Sequence, residues 1–357
     1  MNRPSARPAS VRSGHTEGVN PFRRLSSRVV AVFVVCVAAA TIGAGLGLAR
    51  GTATSSNAGI VVVQTRLGYQ GGSAAGTGIV LTPFGEVLTN NHVIQGATAV
   101  KVVLPGTSHS YPASVVGYSM GGDIAVLHLK GASGLATVSV GDSAKLHVGQ
   151  KVTAVGNARG QGSLTRSSGT ITALGRTITA GDGVNSERLV GLIQTNAALQ
   201  PGDSGGPLLD ASGRVIGIDT AATTGFAFQS TAGGGYAIPI DRVVSVARLI
   251  EAGRSTTTVH VGKTAFLGIE VARTASSGDS GAGVPVGGVL PHSPAAKAGL
   301  TAGALVLALD GHNVGSSNAL VKLLLQRHPG QNAKLTWVSP SGTQRTTTIT
   351  LASGPPQ

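Results

Sequence analysis

The stretch that decides the fold is Pro201-Gly202-Asp203-Ser204-Gly205-Gly206-Pro207. Glycines on both sides of a serine allow its hydroxyl to be exposed and allow a substrate carbonyl to approach the backbone. A buried structural serine needs no such arrangement. We therefore interpret Ser204 as a candidate nucleophile, which must be activated by a neighbouring base.

A base and a carboxylate lie upstream in the order that this chemistry uses. The segment Thr89-Asn90-Asn91-His92-Val93-Ile94 contains a histidine, and Asp123-Ile124-Ala125-Val126-Leu127 begins with a carboxylate before an apolar strand. The order His, Asp, Ser is one of three unrelated orders that reach the same triad geometry. In this hypothesis His92 is the general base, Asp123 orients its imidazole, and the loop Gly202, Asp203, Ser204 forms an oxyanion hole through the N–H groups of Gly202 and Ser204.

A second Gly-Asp-Ser-Gly sequence occurs at Gly278-Asp279-Ser280-Gly281. It lies in a run of Ser and Gly with no apolar strand after it, so we assign it to a loop. Ser204, in contrast, is followed by Pro207-Leu208-Leu209 and then by a turn and a further strand. The sequence context therefore favours Ser204 as the nucleophile.

Short apolar runs bounded by turn residues recur about every ten positions before residue 240. The chain has 54 glycines in 357 residues and only 3% aromatic residues, a composition that suits short strands joined by tight turns. This pattern predicts all-β barrels or sandwiches. The ten runs are Ile60–Val63, Gly78–Leu81, Val100–Leu104, Ala113–Val116, Ile124–Leu129, Val152–Val155, Thr170–Leu174, Leu189–Ile193, Val215–Ile218 and Tyr236–Ile238.

The charge of the chain is unevenly distributed. The formal net charge is +13, and the first fifty residues hold seven arginines against one glutamate. No basic run is interleaved with aromatic residues, so a nucleic-acid partner is not expected. Cys36 is the only cysteine, which excludes both a cysteine protease and a cysteine-ligated metal site.

An uncharged apolar stretch from Val29 to Ala49 is long enough for a helix to cross the roughly 30 Å hydrocarbon layer of a bilayer. Arginines precede it, so the positive-inside rule places residues 1–28, a disordered basic segment, in the cytoplasm. A short linker, residues 50–57, follows, and the rest of the chain is expected outside the cell membrane. The alternative is a cleaved signal peptide, but the apolar core is unusually long for one.

Taken together, these segments resemble the HtrA/Deg family of trypsin-like serine proteases with C-terminal PDZ domains. The resemblance covers about residues 58–352 and includes three further segments. They are Gly76-Thr77-Gly78, Gln194-Thr195-Asn196-Ala197-Ala198 and Tyr236-Ala237-Ile238-Pro239-Ile240-Asp241.

The resemblance implies a mainly β protein. Two six-stranded β-barrels hold the triad between them, His92 and Asp123 from the first and Ser204 from the second, and an α+β PDZ domain follows. It also implies a homotrimer of protease domains. The expected domains are the protease at 58–253, a linker at 254–263, the PDZ domain at 264–352 and a tail at 353–357, and within the protease Asp241 is expected to cap a helix that stops at Gly253.

The specificity pocket departs from the family pattern. Asp203 stands where the family usually has Asn, and an ionised carboxylate there needs a partner that the sequence does not identify. The expected pocket walls are Leu199 and Gln200 on one side and Thr220, Ala221 and Ala222 on the other. The two alanines suggest a modest apolar pocket and cleavage after small or medium aliphatic residues.

The C-terminal unit carries a candidate peptide site. By resemblance, Phe266-Leu267-Gly268-Ile269 is the carboxylate-binding loop of a PDZ domain, where backbone N–H groups capture a peptide C-terminus that adds as a strand. We therefore expect a membrane-anchored, ATP-independent endopeptidase that degrades unfolded or misfolded extracytoplasmic proteins. No metal or cofactor is expected. Two alternatives remain, a catalytically silent peptide-binding adaptor and a holding chaperone.

Overall fold

The computed structural model describes residues 57–181, 186–220, 235–272 and 283–357. The expected cytoplasmic segment 1–28 and membrane helix 29–49 lie outside these residues. Among the helices that are described, none combines the length and the apolar character needed to cross a bilayer.

Six antiparallel strands close the first barrel. Successive residues of a strand point alternately into the barrel interior and away from it. On the first strand, Val61 and Val63 pack inside the barrel, whereas Ile60 packs into a cluster shared with the second barrel. This alternation follows from the two-residue repeat of a β-strand. The order is β5-β4-β1-β2-β3-β6 with β6 paired back to β5, where the strands are β1 Ile60–Leu67, β2 Gly72–Val80, β3 Glu86–Thr89, β4 Ala99–Val103, β5 Ser110–Ser119 and β6 Ile124–Leu129.

The second barrel is also closed by six strands, and the expectation of two six-stranded barrels is confirmed. Two strands of the protease domain, β3 and β10, are absent from the ten predicted runs. They are only four and three residues long, too short to show an alternating pattern. The order is β10-β11-β12-β9-β8-β7, where the strands are β7 Lys151–Gly156, β8 Thr165–Gly181, β9 Ser186–Thr195, β10 Pro207–Leu209, β11 Val215–Asp219 and β12 Gly235–Pro239.

Among the described residues of this domain are two α-helices, the short α1 (Asn91–Ile94) and α2 (Ile240–Glu251). The buried face of α2 packs against the cluster between the barrels through Ile240, Val243, Ala247 and Ile250. The expectation that Asp241 caps α2 is wrong. The helix begins at Ile240, and the Asp241 carboxylate accepts hydrogen bonds from the backbone N–H and hydroxyl of Ser143.

The C-terminal unit is an α+β domain with its own apolar core. Trp337, 1% exposed, packs there with Leu320 and Leu324 from the longer helix. The main sheet has the order β15-β16-β17-β19-β20, with β18 paired to β17, and β14 pairs with β21. The elements are β14 Thr264–Phe266, β15 Ile269–Val271, β16 Val284–Val289, α3 Pro294–Lys297, β17 Leu305–Leu309, β18 His312–Asn313, α4 Ser317–Leu325, β19 Asn332–Val338, β20 Gln344–Thr350 and β21 Ala352–Gly354.

The segments expected to be a linker and a tail join the two domains. Residues His260–Val261 form β13, which adds to the edge of β5 in the first barrel. Pro355 and Pro356 are buried, and the Pro356 carbonyl accepts a hydrogen bond of 2.8 Å from Gly96 N–H. The Asn91 amide in turn donates to the backbone oxygen of Gln357 at 2.9 Å. These contacts bring the PDZ domain against the first barrel, next to α1.

Tyr118 is the polar centre of this junction. Its hydroxyl lies 3.0 Å from the Thr264 hydroxyl and accepts a hydrogen bond of 3.2 Å from Gln357 N–H. Burial raises the pKa of Tyr118 to about 12, so the hydroxyl stays protonated at neutral pH.

We expect Tyr118→Phe to lower the free energy of unfolding by about 1 to 3 kcal/mol, because it leaves buried partners of the hydroxyl unsatisfied. Urea denaturation of the fragment that begins at residue 57 measures this. The control is Tyr111→Phe on the same strand, whose hydroxyl makes no hydrogen bond with the described residues. Equal stability of the two variants would contradict this role of Tyr118.

Candidate active site

The histidine and the aspartate of the predicted triad lie side by side. The last residue of β3, Thr89, pairs with Ala125 on β6, so the segment after β3 lies next to the residue that precedes β6. His92 Nδ1 is 2.9 Å from Asp123 Oδ2 and 3.0 Å from Asp123 Oδ1. The His92 backbone N–H donates to Asp123 Oδ1 at 3.0 Å. The carboxylate therefore fixes both the ring and the first turn of α1.

Asp123 is held in a conformation that few residues adopt. Its φ is 51°, in the left-handed region that Asp tolerates better than most side chains. The Asp123 N–H donates to the Met120 carbonyl at 2.8 Å, and the Asn90 amide donates to the Asp123 carbonyl at 2.8 Å. From the second barrel, the Thr220 hydroxyl donates to Asp123 Oδ2 at 2.9 Å. Both barrels therefore contribute hydrogen bonds to this residue.

The serine loop is anchored to the first barrel by threonine hydroxyls. Thr77 N–H donates to the Ser204 carbonyl at 2.8 Å, and the Thr77 hydroxyl donates to the Gly202 carbonyl at 2.7 Å. The Thr89 hydroxyl donates to the Thr77 carbonyl at 2.7 Å. Gly205 has a φ of +85°, and a Cβ there would overlap the Thr77 carbonyl oxygen. The glycine after the serine is thus required by both conformation and space.

The backbone of Ser204 and the residue after His92 lie against the same point of the first barrel. A Cβ on Gly76 would lie 2.8 Å from the Val93 side chain and 3.1 Å from the Ser204 carbonyl oxygen. The residue after His92 and the backbone of Ser204 thus approach the same point of β2. Ser204 itself has no exposed surface.

The loop before the serine forms a closed turn. Asp203 N–H donates to the Gln200 carbonyl at 3.0 Å, and Asp203 Oδ2 accepts from Gln200 N–H at 2.8 Å. The partner of Asp203 that the sequence does not identify is therefore a backbone N–H three residues upstream. The Arg159 N–H also donates to the Pro201 carbonyl at 2.6 Å, which orients the peptide that carries the Gly202 N–H. Because Asp203 N–H is committed to the turn, the expected oxyanion donors are those of Gly202 and Ser204.

The residues expected to form the specificity pocket do not all line the same cavity. Gln200 lines a cavity of about 280 Å³ together with Asp203, Arg159 and Arg166. Leu199 instead packs against the core of the second barrel, and the Thr220 hydroxyl points to Asp123. Ala221 and Ala222 lie outside the described residues.

The expected carboxylate-binding loop of the PDZ domain separates β14 from β15. Gly268 has a φ of +80° and lies between these two strands. The Phe266 ring stacks on Tyr69 of the protease domain at a centroid distance of 5.6 Å. Among the described strands β15 is the end of its sheet, so its outer edge is the place where an added strand would pair.

Several residues of the site carry no role in the sequence-based interpretation. They are Thr77, Thr89, Arg159 and Asp219. Thr77 lies between two glycines in a segment typical of the family, which is the only signal that could have identified it. Asp219 is the last residue of β11, which the sequence predicts as an apolar run. Burial, the larger cause, and the charge of Asp203, the smaller one, raise the pKa of Asp219 well above the usual aspartate value.

Comparisons with known proteins identify the two domains of the chain. The family model of the trypsin-like peptidase domain matches residues 76–218, and that of the PDZ domain matches residues 265–351. The serine protease PepD of Mycobacterium tuberculosis is 34% identical over 308 residues, covering 82% of this chain and 63% of PepD. The periplasmic serine endoprotease DegP of Escherichia coli K12 is 36% identical over 254 residues, covering 69% of this chain and 50% of DegP.

The solved structure of the HtrA-type protease AlgW with a tripeptide is 30% identical and covers 84% of this chain and 95% of its own, with a TM-score of 0.47. The present chain spans 63% of PepD and 50% of DegP. Its fold and matched domains define a trypsin-like peptidase joined to a PDZ domain. The chain belongs to the HtrA family of serine proteases, which confirms the family resemblance of its sequence.

Thr77 offers a direct test of how the serine loop is held. Its hydroxyl donates to Gly202 and accepts from Asn157 N–H at 2.8 Å. We expect Thr77→Val to destabilise the protein by about 2 kcal/mol and to slow fluorophosphonate labelling, because two buried backbone groups lose their partner. Thr77→Ser keeps the hydroxyl and serves as the control. Labelling of Thr77→Val at the wild-type rate would refute this anchoring role.

Proposed function

We propose that this protein is an ATP-independent serine endopeptidase that cleaves unfolded or misfolded extracytoplasmic proteins. In this proposal the PDZ domain binds peptide C-termini and thereby recruits substrate or regulates the protease. The observation that carries the proposal is the direct contact of His92 with Asp123 at 2.9 Å, beside the glycine-bounded Ser204 loop. A base oriented by a carboxylate next to such a serine is the arrangement that activates a hydroxyl for acyl transfer.

The reaction follows from the roles of these groups. The Ser204 Oγ bonds to the scissile carbonyl carbon while its proton passes to His92 Nε2, and Asp123 stabilises the imidazolium through Nδ1–H. The carbonyl electron pair moves to oxygen, where the N–H groups of Gly202 and Ser204 stabilise the oxyanion. The C–N bond then breaks, and the leaving amine takes the proton from His92. Water repeats the sequence on the acyl-enzyme and releases the second product.

Replacement of the nucleophile tests the proposal most simply. We expect Ser204→Ala to lower the rate of cleavage of unfolded casein by several orders of magnitude, because no acyl-enzyme can form. The matched control is Ser280→Ala, which alters the other Gly-Asp-Ser-Gly sequence of the chain and should leave the rate unchanged. Unchanged cleavage by Ser204→Ala would refute the assignment of the nucleophile.

A silent peptide-binding adaptor is the second candidate, and one observation favours it. Ser204 has no exposed surface, so a substrate can reach its hydroxyl only after a neighbouring segment moves. Fluorophosphonate labelling with and without a peptide that binds the PDZ domain separates the two functions. A protease becomes labelled in at least one condition, whereas an adaptor remains unlabelled in both.

The proposed cleavage preference is for small or medium aliphatic residues. It rests on Ala221 and Ala222 of the sequence and on the family position of that segment. Profiling with a library of peptide substrates measures the preference, and strong preference for Arg or Lys would refute it.

We also propose that residues 29–49 anchor the protein in the cell membrane as a homotrimer with its catalytic domains outside. The apolar stretch of the sequence supports the anchor, and the periplasmic location of its relative DegP supports the placement of the catalytic domains outside. Family analogy alone supports the trimer. Membrane fractionation and light scattering of the detergent-solubilised protein test these two points separately.

A further inference from the structure

Asp219 is a fully buried carboxyl group directly behind the serine loop. It is the last residue of β11 and is 0% exposed, and neither carboxyl oxygen has a hydrogen-bond partner among the described residues. Its N–H donates to the Gly206 carbonyl at 2.8 Å, and its carbonyl accepts from Gly205 N–H at 2.9 Å. Asp219 is therefore bonded through its backbone to the two residues that follow Ser204.

Asp203 is a second buried carboxyl group on the same loop. It is 4% exposed, and its Oδ2 accepts the Gln200 N–H that closes the turn before Ser204. Its Oδ1 has no partner among the described residues and lies against Gly156 of β7, where an added Cβ would be 2.6 Å away. Two carboxyl groups thus flank Ser204 in the same buried region.

The surroundings determine which of the two holds a proton. Asp203 accepts the Gln200 N–H, which favours its ionised form, and Arg159 and Arg166 line the same cavity. Asp219 has no such support, and the next residue, Thr220, donates its hydroxyl to Asp123 of the Asp123–His92 pair instead. Burial raises the pKa of both aspartates, and the charge of Asp203 raises that of Asp219 further.

We propose that Asp203 and Asp219 are positioning residues that share a single proton behind Ser204. The ionised Asp203 holds the turn from Gln200 to Ser204. The neutral Asp219 lies beneath Gly205 and Gly206 and does not repel the Asp203 carboxylate. This inference rests on the proposed function where activity is the readout. The stability readout below does not depend on it.

The pH dependence has a definite sign. The folded pKa of Asp219 lies above that of the unfolded chain, so its contribution to stability is fully present below the ordinary aspartate range and is lost as pH rises through the folded value. Loss of the shared proton places two carboxylates together, which distorts the turn that carries the oxyanion donors. Stability and kcat/KM should therefore both fall on the alkaline side.

The test compares the wild type with Asp219→Asn and Asp203→Asn, whose amides are isosteric and cannot ionise. We expect the urea midpoint of the wild type to fall as pH rises above the ordinary aspartate range. In either variant the fall should be smaller, because only one carboxyl group remains to ionise and the charge of its partner is gone. The alkaline midpoint of kcat/KM should move up by about one pH unit or more in Asp219→Asn, with kcat at pH 6 within about threefold of the wild type.

The control is Asp210→Asn, which removes a carboxylate of the same barrel that is paired with Arg214 at 2.7 Å. This variant should show the same alkaline fall of the urea midpoint and of kcat/KM as the wild type. If one variant does not fold, the other decides, because the repulsion needs both charges and either variant retains only the cost of burying its one remaining carboxylate. The proposal would be overturned if the urea midpoints of the folded variants fell with rising pH as steeply as that of the wild type. Should no protein show peptidase activity, the proposed function fails, while the urea midpoints still decide this inference.

Discussion

A buried carboxylate must have its oxygens satisfied by hydrogen bonds, and at Asp123 the donors come from both barrels. The His92 imidazole and backbone N–H approach from the first barrel, and the Thr220 hydroxyl approaches from the second. A small displacement of one barrel relative to the other would leave part of the carboxylate unpaired, which is costly in a buried site. The relative position of the barrels and the orientation of the imidazole are thus determined together.

The serine loop is tied to the same junction by a second set of bonds. Thr77 holds the carbonyls of Gly202 and Ser204, and Thr89 holds Thr77. Because Thr89 is only three positions from His92, the base and the nucleophile are attached to a single pair of strands, β2 and β3. Strands are rigid supports, which suits a site whose groups must meet within a fraction of an ångström.

The sequence predicts the chemistry of the site better than its supports. Histidine, aspartate and serine are recognisable because each lies in a distinctive local context and in a known order. Thr77 lies in a Gly-Thr-Gly segment, but its role and that of Asp219 cannot be derived from local context. Both roles depend on contacts outside the local segment, 125 positions away in the case of Thr77 and Gly202. The same holds for residues 355–357. Their composition is typical of a tail, yet Pro355 and Pro356 are buried and Gly96, Tyr118 and Asn91 provide hydrogen-bond partners on the protease domain.

The most direct measurement is a crystal structure of the protein after reaction with a peptide phosphonate. The account predicts a phosphorus–oxygen bond to Ser204 Oγ, a phosphonyl oxygen about 2.7 to 3.1 Å from the N–H groups of Gly202 and Ser204, and the His92 imidazole still paired with Asp123. Attachment of the phosphonate to another residue, or an imidazole separated from the modified serine, would contradict it.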